Sequence, residues 1–146
     1  MISSETGPSV AMAVLCQAVE LREDGSMDVL GIVEGVVLEP PPPSDQDPLG
    51  LQPAAVLPLR LLVTLRAGPL RGAQRVRIAS HYPAGNAGPS TEIDIEFSDQ
   101  RPGATVNVPL EVRVHEAGTY RFDVLLGERP MASVPLRVLF TRDDVM

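Results

Sequence analysis

Residues 57–66 read LPLRLLVTLR, and every second side chain in this stretch is apolar. The intervening positions include the polar residues Arg60 and Thr64. Successive side chains of a β-strand point to opposite faces, so a period of two residues is typical of a strand with one covered face. The stretch therefore predicts a strand in an all-β protein.

The same period recurs on both sides of this segment, while the helical period is nearly absent. It predicts eight strands at residues 9–21, 27–38, 57–66, 74–80, 91–97, 106–114, 120–126 and 134–140. The first two are separated by residues 22–26, in which Asp24-Gly25 indicates a tight hairpin whose two central residues tolerate positive φ. Pro109 suggests that the strand at 106–114 lies at a sheet edge or contains a bulge.

A proline-rich stretch interrupts the strand pattern after the second strand. It contains four consecutive prolines, at positions 40–43, and no apolar period. Such a sequence is typical of an extended surface connection and not of a central strand. We expect one domain over residues 1–146, with a proline-rich surface connection at residues 40–55.

The strands at 74–80 and 91–97 fit a second hairpin, and their pairing can be predicted by arithmetic. If residues whose numbers add to 171 lie opposite each other, Val76 faces Ile95 inside the protein. Arg77 then faces Asp94 on the outside. The expected result is a ladder of opposite charges above a covered apolar face.

Antiparallel strands without helical crossovers cover their apolar faces by packing one sheet on another. Residues 116–120, EAGTY, resemble the corner of immunoglobulin-like domains, in which a tyrosine hydroxyl bonds back to upstream backbone. The alternative is that Tyr120 is only a core aromatic residue. The chain lacks the paired cysteines and core tryptophan of antibody domains. The expected fold is an antiparallel, immunoglobulin-like β-sandwich of about eight strands within that wider class.

Four short segments carry a family resemblance: LCQA at 15–18, DGSMDVLG at 24–31, GTYRFDV at 118–124 and LGE at 126–128. With these segments the chain resembles a family of short, stand-alone bacterial β-sandwich proteins classed as a domain of unknown function. The resemblance covers nearly the whole chain and rests on turn and core residues. It implies a stand-alone bacterial β-domain of unassigned activity and carries no catalytic residue across.

The charge of the chain excludes several partners. Its 12 basic residues are all arginine, against 19 acidic residues, and the net charge is −7. Nucleic-acid binding needs a clustered cationic surface, and anionic membranes would repel this protein. The apolar run at residues 10–15 is too short for a signal or membrane segment. We expect a cytoplasmic protein with neither nucleic-acid nor membrane partners, and the single Cys16 agrees with a reducing compartment.

Residues that often carry chemistry are sparse. Cys16 lies in an apolar strand, where burial makes a thiol inert. His81 and His115 have no other ligand at metal-binding spacing, and no nucleophile elbow, phosphate-binding loop or dinucleotide motif is present. The prediction is a protein that is not an enzyme, with no catalytic residues, no cofactor and no bound metal.

Clustered carboxylates leave one alternative open. Glu92, Asp94 and Glu96 share one strand face and could present oxygens to calcium, although a strand holds them nearly 7 Å apart in a line. A ladder with the arginines of residues 75–77 explains them better. Residues 45–47 and 143–144 offer further loop and terminal aspartates. A calcium-binding or small-ligand-binding β-sandwich module is therefore the alternative function.

The first hairpin is apolar on both faces, whereas a strand of a two-layer protein has one wet face. The cover is either the proline-rich segment or a second subunit. We expect a homo-oligomer, with interface candidates Val14, Leu15, Val19, Leu30, Ile32, Val36 and Leu38. The expected function is a non-catalytic protein-interaction or scaffold domain that self-associates through this hairpin, with the loops at 40–53 and 82–90 available to a protein partner.

Overall fold

The computed structural model describes residues 7–40 and 53–141. Most of the predicted surface connection at 40–55 therefore lies outside the described residues. The nine strands of the described part are β1 (Ser9–Leu21), β2 (Met27–Ile32), β3 (Gly35–Leu38), β4 (Ala55–Arg66), β5 (Gly72–His81), β6 (Ala87–Phe97), β7 (Gly103–Val114), β8 (Gly118–Leu126) and β9 (Arg129–Phe140). The all-β prediction is confirmed.

The strands form two sheets that pack against each other over one hydrophobic core. The four-stranded sheet has the order β2-β1-β4-β7, and the five-stranded sheet has the order β3-β9-β8-β5-β6. Leu61 and Val63 enter the core from the first sheet, and Ile78, Val124 and Leu136 enter it from the second. Burial of these alternate side chains is the main favourable contribution to folding.

The alternating stretch at residues 57–66 belongs to β4, an interior strand of its sheet. It pairs with β1 on one side and with β7 along its whole length on the other. Its alternating apolar residues are buried as predicted, from Leu59 to Leu65. Leu62 is also fully buried, although it points to the opposite face, where it lies across from Val14. β7 is an edge strand, as Pro109 suggested.

The first hairpin forms where Asp24-Gly25 predicted it, with Leu21 opposite Met27. The expectation of positive φ at both central residues is wrong, because only Gly25 has one, at 91°. The Asp24 carboxylate instead accepts a hydrogen bond from the backbone N–H of Ser26 at 2.9 Å, which closes the turn without a left-handed aspartate.

The predicted second strand at 27–38 is in fact two strands in different sheets. β2 pairs with β1, whereas β3 pairs in parallel with β9. The chain leaves the first sheet at Val33 and Glu34, directly after Gly31, whose φ is 66°. Gly35 then approaches the backbone of β9 so closely that a Cβ there would lie 3.3 Å from the carbonyl oxygen of Arg137. An apolar pattern continues through this bend, so the period alone could not reveal it.

The second hairpin, β5–β6, exists, but the predicted register is wrong by two residues. Opposite residues add to 169, so Val76 faces Ile93 and Arg75 faces Asp94. The strands approach the loop more closely than predicted, since His81 lies opposite Ala87. Between that pair and Ala79–Ser90, one residue of β5 lies opposite two residues of β6, and this bulge changes the sum from 168 to 169. The remaining difference of two from the predicted 171 keeps every side chain on its predicted face.

The predicted tyrosine corner is present. The Tyr120 hydroxyl donates to the carbonyl oxygen of Glu116 at 2.8 Å and accepts from the backbone N–H groups of His115 and Glu116 at 3.2 and 3.3 Å. The ring itself is buried, with 2% of its surface exposed. These bonds tie the turn between β7 and β8 to the start of β8.

Candidate functional site

A groove opens between the two sheets along one side of the molecule, and we call it the seam groove. Its walls are residues 13–15 of β1 and Val134, Pro135 and Arg137 of β9, and residues 32–35 close one end. Its volume is about 690 Å³. Sites for small ligands and peptides have this size range and a mainly apolar lining.

The groove exists because two strands are paired along only part of their length. β2 covers β1 from Cys16 to Leu21, and β3 covers β9 from Arg137 to Phe140. Among the described residues, no strand lies on the same side of β1 at residues 9–14 or of β9 at residues 129–136. Two free edges, one from each sheet, therefore face the same opening.

The segment between β2 and β3 bridges these edges at the top of the groove. The backbone N–H of Val33 donates to the carbonyl oxygen of Leu15 at 2.8 Å. One residue later, the carbonyl oxygen of Glu34 accepts from the N–H of Arg137 at 3.1 Å. A single extended segment thus hydrogen-bonds to both sheets at the level of residues 33–34.

A second unusual region is the projecting hairpin, which we define as residues 17–32. β1 pairs with β4 only as far as Cys16, so beyond that residue the hairpin consists of two strands that, within the described ranges, pair only with each other. Leu21, Leu30 and Ile32 are 77%, 43% and 58% exposed. A two-stranded ribbon has little intrinsic stability in water, so these exposed apolar side chains suggest a missing neighbour.

The structure does not bring the seven predicted interface residues together on one surface. Leu15 is 1% exposed and belongs to the core. Val36 and Leu38 lie on β3 in the other sheet and pack partly against the core. Val14 and Val19 are half-buried on β1. Leu30 and Ile32 are the exposed members of the set.

Sequence reasoning missed the seam groove. Its decisive residues, Val33, Glu34 and Arg137, carry no signal of their own, because they sit inside an ordinary apolar strand pattern. The available signal was the pair Gly31 and Gly35, which the sequence places within one predicted strand where a close approach or a bulge was possible. The structure shows both a positive φ at Gly31 and a close approach at Gly35.

Cys16 is fully buried, as expected, but on the outer face of its sheet and not in the core between the sheets. Its neighbours across the strands are Ile32 and Arg60. Burial raises the pKa of the Cys16 thiol, and the positive charge of Arg60 opposes that shift. The thiol is therefore poorly nucleophilic and unsuited to covalent chemistry.

His81 belongs to a polar cluster on the outer face of the five-stranded sheet. Its Nε2 lies 3.1 Å from Oδ2 of Asp123, whose Oδ1 accepts a hydrogen bond from Arg121 Nε at 3.1 Å. Partial burial, the largest single influence, acts to raise the pKa of Asp123, but the Ser133 hydroxyl, Arg121 and His81 together lower it. Asp123 lies between the other two groups, so the Ser133 hydroxyl and the His81 imidazole both contact its carboxylate. A nucleophilic triad needs a different order, with the imidazole between the other two groups.

His115 lies in the exposed turn between β7 and β8, with its ring edge-on to Tyr82 at a centroid distance of 6.4 Å. Among the carboxylates proposed for calcium, Glu92 and Asp94 both pair with Arg75, at 3.5 and 3.1 Å. The described residues contain no group of three or more potential metal ligands. The aspartates at 45–47 and 143–144 lie outside the described residues, as do parts of the proposed partner loop at 40–53.

Residues 7–40 and 53–141 contain no helix with the length and apolar character needed to cross a membrane.

A family model with the description "family of unknown function (DUF6941)" matches residues 11–139. The chain belongs to this family. The match confirms the resemblance to an uncharacterised domain family drawn from the turn and core segments, whereas a bacterial origin stays a prediction. No match was found among curated proteins.

One similar solved structure is that of Pseudomonas fluorescens alkylpurine DNA glycosylase AlkC bound to DNA containing an abasic site analog. The two share 11% sequence identity with a TM-score of 0.46. The alignment covers 87% of this chain and 30% of the glycosylase chain. A likeness at this level carries no inference about function.

Proposed function

We propose that the protein is an immunoglobulin-like β-sandwich that acts as a non-catalytic interaction module and self-associates through the projecting hairpin. The immunoglobulin-like assignment is supported by strand order. β9, β8, β5 and β6 follow the order G-F-C-C′ of variable-type domains, and β4 and β7 pair as B and E do. Tyr120 lies at the start of the strand that corresponds to F, and Phe122 is buried two residues later, where antibody domains have a cysteine.

The observation that carries self-association is the isolation of β2. In the part of the chain that the structure describes, this strand pairs with β1 alone, and it exposes Leu30 and Ile32 on a ribbon that extends past β4. Apolar surface released from water on association contributes roughly 25 cal/mol per Å². A second copy of the hairpin would supply that cover without any special chemistry, and β2 has a free edge that permits pairing between copies.

Light scattering over a range of protein concentrations tests this proposal. We expect the wild-type mass to rise with concentration and the double variant Leu30→Asp with Ile32→Asp to remain monomeric. Leu139→Asp is the matched control, because Leu139 is 50% exposed but lies in β9 of the other sheet. A wild-type protein that stays monomeric at every concentration would contradict self-association, as would equal loss of mass in the control.

A further inference from the structure

We propose that the seam groove binds an extended acidic segment of another protein, which adds as a strand to the free edge of β1. This interaction is separate from self-association through the projecting hairpin. It rests on the backbone of β1, on the segment that already bridges the groove, and on the charges of the β9 wall.

The free edge of β1 carries neither the prolines nor the charges of the other sheet edges, and its one irregularity is a register shift against β4 between Val10 and Met12. Proteins blunt exposed edges with prolines, charged side chains, bulges or short strands. β6 carries three acidic residues and Pro89, β7 carries Pro109 and two charged residues, and the free half of β9 carries Pro130 and Pro135. Residues 9–14 of β1 read SVAMAV, with neither a proline nor a charge. Among the described edges, this one is the best template for an added strand.

The backbone geometry identifies which groups an added strand would meet. The Leu15 carbonyl group points toward β2, because it accepts the N–H of Val33. Peptide groups two residues apart in a strand point the same way, so the N–H and C=O of Ala13 face the groove. The regular part of this edge begins after the register shift between Val10 and Met12. Residues 12–15 span about 13 Å, enough to pair with a strand of about four residues. A bound strand would lie next to β1 in line with β2.

The segment at residues 33–34 shows that one extended chain fits between the two sheets at this level. It bonds to β1 through Val33 and to β9 through Glu34. Lower in the groove, position 135 of β9 is a proline, which has no backbone N–H to donate into the opening. β9 therefore offers mainly apolar contact there. Hydrogen bonding to β1 with side-chain packing on Val134 and Pro135 is therefore the expected mode.

The arginines of the β9 wall indicate which kind of partner fits the groove. β9 contains Arg129 and Arg137 and no acidic residue. Neither arginine has a carboxylate within 4.0 Å among the described residues, in a chain whose net charge is −7. Glu34 is the acidic residue of the lining. Arg137 at the upper end would form an ion pair with an acidic side chain of the added strand, and this local contact distinguishes an acidic segment from a basic one.

Fluorescence anisotropy with two labelled peptides tests the proposal. One peptide alternates valine and glutamate, and the other alternates valine and lysine, with capped ends in both. We expect the glutamate peptide to bind the full-length protein at least tenfold more tightly than the lysine peptide. A difference of this size is what one charge pair at an interface contributes. Hydrogen exchange should slow in the fragment that contains residues 9–15 when the glutamate peptide is added.

Two variants separate the backbone from the charge. Ala13→Pro removes an N–H that faces the groove and should weaken binding about tenfold. Arg137→Glu should abolish or reverse the preference for glutamate, while Arg113→Glu on the distant β7 edge should leave it unchanged. If Ala13→Pro fails to fold, Arg137→Glu and the exchange measurement still decide the question.

Three results would overturn the proposal. They are no binding of the glutamate peptide at millimolar concentration, equal binding of both peptides, and no protection of residues 9–15. Occupation of the groove by a second copy would also refute it, and would appear as a dimer that Ala13→Pro dissociates. Loss of the dimer in the Leu30→Asp, Ile32→Asp variant with peptide binding intact would instead support two independent interactions.

Discussion

The two edge hairpins of the molecule, β5–β6 and the projecting hairpin, have opposite surroundings. In β5–β6, the inner face carries the buried Val76 and Ile78, and the outer face carries Arg75 paired with two carboxylates. In the projecting hairpin, Leu30 and Ile32 are exposed, and no further strand among residues 7–40 and 53–141 pairs with β2. A charged outer face protects β5–β6 from further strand pairing, whereas the projecting hairpin retains surface suited to a partner.

The loops of the two hairpins differ in the same way. Tyr82, at the β5–β6 loop, packs edge-on against Tyr120 with ring centroids 6.0 Å apart. The loop of the projecting hairpin is held by local contacts, such as the Arg22–Asp28 ion pair at 2.8 Å and the bond between Asp24 and Ser26. The β5–β6 loop is therefore anchored to the core, whereas the conformation of the projecting hairpin's loop is held by contacts among its own residues.

The largest effect expected from this comparison is a difference between two isoleucine truncations. Ile78→Ala should lower the free energy of unfolding by about 2–5 kcal/mol, because it leaves a cavity in a packed core. Ile32→Ala, measured in dilute monomer, should change it by no more than about 0.5 kcal/mol. Urea unfolding of both variants measures the difference. Equal losses would show that the projecting hairpin is packed as tightly as β5.

A smaller effect is expected at the anchor of the β5–β6 loop. Tyr120→Phe keeps the ring but leaves backbone groups of His115 and Glu116 without their partner, at a cost of about 1–3 kcal/mol. Chemical denaturation measures this loss. Tyr82→Phe is the matched control, since Tyr82 contacts the same ring with its own aromatic edge. If the two variants behave alike, the Tyr120 hydroxyl contributes nothing specific.

The smallest effect concerns the charged face of β5–β6. Arg75→Gln and Asp94→Asn should be non-additive in a double-mutant cycle, because the two side chains form a hydrogen-bonded ion pair at 3.1 Å. That hydrogen bond is also the main reason that the pKa of Arg75 is raised. Arg77→Gln with Asp94→Asn should be additive, since Arg77 lies opposite Glu92. Coupling at Arg77 with additivity at Arg75 would restore the register that the sequence predicted.

Sequence reasoning identified the elements well and their neighbours poorly. The alternation at residues 57–66 and its repeats located every strand region, and EAGTY located the corner at Tyr120. The register of β5–β6 failed because the strands extend to His81 and Ala87, so the loop is shorter than the predicted one at 82–90. A register error of two residues leaves the apolar pattern unchanged. The sequence also did not reveal that the chain passes to the other sheet at Val33, because both faces of residues 27–38 are apolar. The seam groove could not be predicted, because it consists of gaps between strands that are distant in sequence.

The amino-acid sequence by itself determined that this protein is made of strands and which side chains point inward, because strand periodicity is a local property of neighbouring residues. Only the tertiary structure decided which strands lie side by side, where the chain passes from one sheet to the other, and which edges stay open. Those features depend on contacts between distant residues, and the same alternating pattern is compatible with several arrangements of them.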